Sequence, residues 1–249
     1  MATIPEIRSA APSYLEERPV HISSACGELG GSLGLVAGAT GMVLIANDRG
    51  TARHRTSELL LARALRQRGL ATLMVDVLTL EEQADVVRAA RLRVDAIKLA
   101  HRIAEARAWL AGQERLRGLP LAVVGEGGAG AAAIVEASAR REGLAAVVLR
   151  AGQPMQAGAA LEACETPVLL VVDARDRALL AQNRAAVVEL PGEAQLLAAA
   201  SLCAADDAAC DDAAVTESIA SWLEVHLARE AVPARAARSL AAEGAALAR

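Results

Sequence analysis

The stretch Val124-Gly125-Glu126-Gly127-Gly128-Ala129-Gly130-Ala131 stands near the middle of the 249-residue chain. Leu121-Ala122-Val123-Val124 leads into it as a short apolar run of strand length, and an alanine-rich segment with helical character follows to about Arg141. Strand, glycine turn and helix in that order make one unit of a parallel sheet covered by helices. The same alternation spreads outward. Residues 42–46 and 71–77 are strand-like, separated by a helical pattern over 56–68 that Gly69 ends. Residues 81–113 predict two helices. The second starts near Asp95, with Ile97, Ala100, Ile103, Ala104, Ala108 and Trp109 on one face. Further on, 145–149, 167–172 and the weaker 193–197 are strands, with helices from about Ala178 and over 216–229. Residues 20–23 and 32–36, between glycine-rich turns, predict an antiparallel hairpin at the sheet edge. The fold class is therefore α/β, a mostly parallel central sheet with helices on both faces.

The glycine cluster fits two chemistries. Gly125, Gly127 and Gly130 match G-x-G-x-x-G, in which glycines let a backbone approach a phosphate at a helix N-terminus. That would make residues 125–130 a nucleotide site, with Arg150 placed to meet a 2′-phosphate. The motif is weak by itself, and several strand–helix units precede it where a dinucleotide site opens the fold. The second chemistry is the strained elbow that carries a nucleophilic serine between strand and helix. Here Gly127 fills the serine slot, and glycine relieves the strain that a side chain would bear there.

Composition narrows the classes. A net charge of −4 and 1% aromatic residues argue against nucleic-acid binding, which needs a basic surface and stacking rings. No apolar run is long enough to span a membrane, and no secretory signal opens the chain. Four scattered cysteines do not make a disulfide scaffold. A cytoplasmic protein is expected. Cys203 and Cys210, with Asp206, Asp207, Asp211 and Asp212, do not have zinc-ligand spacing, so no metal and no cofactor is expected. Arg88, Arg91, Arg93, Lys98, Arg102 and Arg107, interleaved with Glu81, Glu82, Asp85 and Glu105, read as an ion-paired solvent face.

The chain as a whole resembles the dienelactone hydrolase-like branch of the α/β-hydrolases, a small bacterial type sometimes fused to phosphoribosyltransferases. The resemblance runs from about His21 to Leu227. It rests on Gly31-Ser32-Leu33-Gly34-Leu35 and on Gly41-Met42-Val43-Leu44-Ile45-Ala46-Asn47 leading to Arg53-His54. Further landmarks are Gly69-Leu70-Ala71-Thr72-Leu73-Met74-Val75-Asp76-Val77-Leu78-Thr79 with Glu81-Glu82, and Gly130-Ala131-Ala132-Ala133. Ala146-Val147-Val148-Leu149-Arg150-Ala151-Gly152-Gln153-Pro154, then Pro167-Val168-Leu169-Leu170-Val171-Val172 with Arg175-Asp176 and Asn183-Arg184, complete it.

The resemblance implies an α/β-hydrolase fold and places the family's reactive groups. Its nucleophile falls at Gly127 and its triad acid at Asp176. Its histidine falls near Ser201-Leu202-Cys203, with Leu202 the approximate position, and no histidine lies between His101 and His226. Asn47-Asp48-Arg49-Gly50 stands where the family often has His-Gly, which compromises an oxyanion hole. Acyl transfer needs nucleophile and base together, so the expectation is a hydrolase fold without hydrolase chemistry, a pseudoenzyme. Asn47, Asp48, Arg49, His54, Glu126, Gly128 and Arg150 are expected to line the old cleft. Glu126 reads as a charge at the helix N-terminus, Cys203 as a buried thiol, and His226 as a helix-surface residue. The alternatives are an esterase with an unorthodox constellation (Asp176 with Glu126, Asp48 or Cys203) and the nucleotide site above. The expected partner is a protein or a second copy, a homodimer, with a small molecule in the old cleft as another option. The expected divisions are an N-terminal segment 1–18, one domain 19–229, and an Ala/Arg-rich tail 230–249 that is either a docked helix or a frayed end.

Overall fold

The computed structural model describes residues 14–48, 52–139, 143–200, 202 and 212–247. Its centre is an eight-stranded sheet of β1 (Tyr14–Ser24), β2 (Gly27–Val36), β3 (Gly41–Asn47), β4 (Leu70–Asp76), β5 (Leu121–Glu126), β6 (Ala146–Arg150), β7 (Val168–Asp173) and β8 (Ala194–Ala199). The strand order is β1-β2-β4-β3-β5-β6-β7-β8. The hairpin β1–β2 and the β2–β4 pair are antiparallel, and every later pair is parallel. The fold is the α/β-hydrolase type. The hairpin sits at the edge as the sequence predicts, but β1 opens at Tyr14, inside the segment that a boundary at residue 19 had left out. Tyr14 pairs with Val36, and the register shifts between Tyr14 and Glu16.

Strand alternation explains the two helical layers. Met42, Leu44 and Ala46 of β3 face one core, and Val43 and Ile45 face the other. The second core is covered by α1 (Ala52–Gln67) through Leu61, Ala62 and Leu65, and by α8 (Asp212–Leu247) through Ile219, Leu223 and Leu227. The first is covered by α4 (Ala96–Ala111), α5 (Gly128–Ala139) and α7 (Arg177–Glu189). Each fully buried leucine contributes about 1.5–3 kcal/mol of burial free energy. No helix among the described residues is long and apolar enough to cross a membrane.

The segment read as two helices is three: α2 (Leu80–Ala84), α3 (Val86–Arg93) and α4. Each starts on its own side-chain cap. Thr79 and Glu82 form a reciprocal capping box, Asp85 accepts from Arg88 N–H, and Asp95 accepts from Lys98 N–H. The buried apolar face of α4 is Ala96, Leu99, Ala100, Ile103, Ala106 and Leu110. Ile97 and Ala108, expected inside, are exposed. Arg102 also departs from the solvent-face expectation. It is buried and donates twice to Glu82, at 2.8 Å each, and to the Val77 carbonyl.

Two helix limits move. α1 begins at Ala52 rather than near Thr56. α8 continues without a break past Arg229 and through Pro233 to Leu247. α6 (Ala159–Glu162) is a short turn after β6.

Candidate functional site

The glycine cluster is the corner between β5 and α5. Gly127 stands at that corner with φ +61°, in the left-handed region where a side chain is strained. Its N–H donates to the Arg150 carbonyl at 3.1 Å, and its carbonyl accepts from Gly130 N–H at 3.2 Å. The turn is thus pinned to the end of β6 and has the strand–elbow–helix geometry in which a nucleophile would be presented. Glycine carries no such group.

The next residue defines the electrostatics. In a nucleophile elbow the N–H after the nucleophile helps to hold the oxyanion. Here Gly128 N–H donates to Asp48 Oδ2 at 2.8 Å. Asp48 lies just past β3 and is buried, and its carbonyl accepts from Arg93 Nε at 2.9 Å. The backbone is packed as closely as the side chains: a Cβ on Gly128 would stand 1.9 Å from the Arg93 carbonyl oxygen. Protein carboxylate and carbonyl oxygens therefore crowd the N-terminus of α5. A phosphate placed at the same N–H would meet the Asp48 carboxylate, and this corrects the nucleotide reading of Gly125–Gly130.

Glu126 and Arg150 end β5 and β6 side by side. Both are buried, with Arg150 Nη1 3.7 Å from Glu126 Oε2. Glu126 is a strand residue with an ionic neighbour and not the helix N-terminal charge that was expected. Arg150 is engaged with it, not directed to a 2′-phosphate. Asn47, the last residue of β3, is buried beside them at the C-terminal edge of the sheet.

Asp176 is exposed and caps α7, accepting from Leu179 N–H at 2.9 Å. The sequence reading missed Asp173, the last residue of β7. Its carboxylate takes Arg175 Nη2 at 2.8 Å and the Leu202 N–H at 3.1 Å. Asp173 thereby ties the Leu202 backbone to the end of β7. The Arg175 hydrogen bond holds its carboxyl below the usual value, against the opposing effect of burial. Its sequence signal was only an Asp ending a strand run. Asn183, one of the landmark residues, is buried and donates to the carbonyls of Leu179 and Gly152.

The histidines whose side chains are described stand elsewhere. His21 is on edge strand β1, where Nδ1 lies 2.8 Å from Glu28, and His101 is exposed on α4. His226 is buried in α8, not on its surface, because its ring packs on Trp222 at 4.0 Å and Nδ1 donates to the Trp222 carbonyl at 2.8 Å. Arg49, the His54 side chain, Cys203, Cys210, Asp206, Asp207, Asp211 and the Asp212 side chain lie outside the described residues. Among the described residues no group of three or more His, Cys, Asp or Glu is arranged to hold a metal ion.

A crystal structure of a dienelactone hydrolase from Anabaena variabilis ATCC 29413 is 33% identical, with a TM-score of 0.76, across 86% of this chain and 97% of that one. The chain belongs to the dienelactone hydrolase-like family of α/β-hydrolases. Est1E from Butyrivibrio proteoclasticus shares the fold at 12% identity and a TM-score of 0.66, over 84% of this chain and 99% of its own. Two Mycobacterium tuberculosis proteins with the name "Putative phosphoribosyl transferase" are 34% identical over 191 residues, 76% of this chain. The chain spans 42% of the length of these curated relatives. No family model matches the chain.

Proposed function

We propose that this dienelactone hydrolase-like chain does not hydrolyse esters by the family's triad and acts by binding a protein or ligand. One observation carries the reading: Gly127 occupies the elbow while the Asp48 carboxylate accepts the adjacent Gly128 N–H. Nucleophile and oxyanion donor are the two parts of acyl transfer that must coincide, and a carboxylate there repels the charge that develops. The mycobacterial relatives' name makes a phosphoribosyl transferase unit the partner to test first.

A second reading keeps the chain an enzyme. The 33% identity to a protein named a dienelactone hydrolase favours it, as does Asp176 at the acid position. Hydrolysis would then use an unorthodox constellation that includes Asp176. Purified protein incubated with p-nitrophenyl esters, dienelactone and a fluorophosphonate probe separates the two. The binding reading expects no turnover above buffer and no label. Turnover lost in Asp176→Ala would overturn it in favour of the enzyme.

A further inference from the structure

Helix α3 is apolar on two opposite sides. Its inner side buries Ala89 and Leu92 in the first core. At about 3.6 residues per turn, Val86, Val87 and Ala90 fall on the other side, with Arg91 at its border. All four are exposed, Val86 to 77% and Val87 to 61%. Val94, the C-cap, keeps a helical backbone and continues this side at 62%, and Ile97 at the start of α4 follows at 64%. A surface helix ordinarily turns polar residues outward, and a helix apolar all round is one that is covered. Helix formation does not explain the choice either, because valine is a poor helix former.

The charges around this face say what covers it. Arg88 is held by Glu82, and Lys98 by Asp95. Arg91 makes no ion pair or side-chain hydrogen bond among the described residues. Asp85, exposed at the other end of α3, uses Oδ1 to accept the Arg88 N–H, and its Oδ2 makes no bond among the described residues. One outer side therefore reads acid, valine, valine, alanine, base from Asp85 to Arg91. That order is its own complement when the helix is turned end for end, which is what contact between two identical surfaces requires. The antiparallel arrangement also brings opposite ends of the two helix dipoles together.

We propose that the outer side of α3 is covered by α3 of a second copy of this chain, the two helices antiparallel across a two-fold axis. Val86 of each copy lies against Ala90 of the other, and Arg91 of each pairs with Asp85 of the other. Val94 and Ile97 extend the apolar contact beyond the helix. One short helix and its flank cover only part of the ~800 Å² per partner of a standard interface, so the dimer is a weak, reversible one. The inference does not depend on whether the elbow is catalytic.

The test is sedimentation equilibrium of the full chain over about 5–500 µM, where a dimer dissociation constant of roughly 10–100 µM is expected. Ala90→Glu sets a carboxylate into the apolar contact and is expected to weaken the dimer at least tenfold, with the thermal midpoint unchanged. Arg91→Glu faces Asp85 with a like charge and should do the same, whereas Arg91→Lys should stay within about threefold of the parent. Val188→Glu, at an 85% exposed position on α7, is the control and should leave the dimer unchanged. A chain that stays monomeric throughout, a dimer indifferent to Ala90→Glu, or one weakened equally by Val188→Glu would each overturn the proposal. Should Ala90→Glu fail to fold, the contrast between Arg91→Glu and Arg91→Lys still decides it.

Discussion

The Asp48 carboxylate and the Gly128 backbone N–H, eighty residues apart in sequence, meet at 2.8 Å. A charge-assisted hydrogen bond to a partly buried backbone donor is worth more than a neutral one. Asp48→Ala leaves that donor without its acceptor and is expected to cost about 1–3 kcal/mol. Asp48→Asn, which keeps an oxygen in place, should cost less. Urea unfolding of the three proteins checks the order.

Putting a serine back does not restore the chemistry. Gly127→Ser places a side chain at φ +61° and is expected to cost about 1–2 kcal/mol of stability. The Gly128 N–H remains engaged by Asp48, so esterase activity should stay at the buffer level. Turnover by the single variant would show that the oxyanion position is open.

Glu82 is a buried carboxylate held by Arg102, Arg88 and the Thr79 N–H. Burial alone would push its carboxyl up, but hydrogen bonds from Arg102 and the Thr79 N–H, with the nearby Arg88 charge, outweigh burial and hold it below the usual range. Because the folded value is the lower one, its stabilising contribution is present above the unfolded carboxyl pKa. It is lost as pH falls through the folded value. Denaturant midpoints should therefore fall as acid is added below about pH 4.3, the ordinary glutamate value. This fall should be smaller in Glu82→Gln. Breaking one side of the buried pair is expected to cost about 3–5 kcal/mol.

Much of this architecture was legible as apolar runs, because parallel strands buried on both faces need no alternation to be found. Residues 42–46 and 121–124 fell inside β3 and β5 for that reason. The buried face of α4 was only partly legible: Ala100 and Ile103 lie on it but Ile97 and Ala108 do not, since alanines on several sides blur an amphipathic pattern. Arg102 looked solvated because its partner Glu82 sits on another helix, which no local spacing reveals. At the site, Gly127 could be placed from the motif alone. The contact between Asp48 and Gly128 could not, because it depends on how the ends of β3 and β5 lie side by side.

Cysteine reactivity should follow burial. Cys164 is fully buried, and burial pushes its thiol up to about 11. Cys26 is partly exposed at the β1–β2 turn. The thiolate is the reacting form, so at pH 8 iodoacetamide should label Cys26 well before Cys164 in native protein, with the difference erased in denaturant. Peptide mass mapping over time reads both.

The tightest backbone approach offers the sharpest contrast. A methyl at Gly128 would have to occupy space 1.9 Å from the Arg93 carbonyl oxygen, which belongs to the end of α3 and cannot swing aside as a side chain can. Gly128→Ala must therefore push α3 or α5 outward and lengthen the Asp48 contact. A cost of about 1–3 kcal/mol is the usual range for such overpacking. At Gly30 the same methyl meets nothing within 4 Å, so Gly30→Ala should leave the thermal midpoint within a degree or two of the parent. For a chain of this size, 1 kcal/mol corresponds to roughly 2–4 °C, so paired thermal melts resolve the two cases. Equal midpoints for the two variants would mean that the elbow is not held by the packing of Arg93 and Asp48 against Gly128.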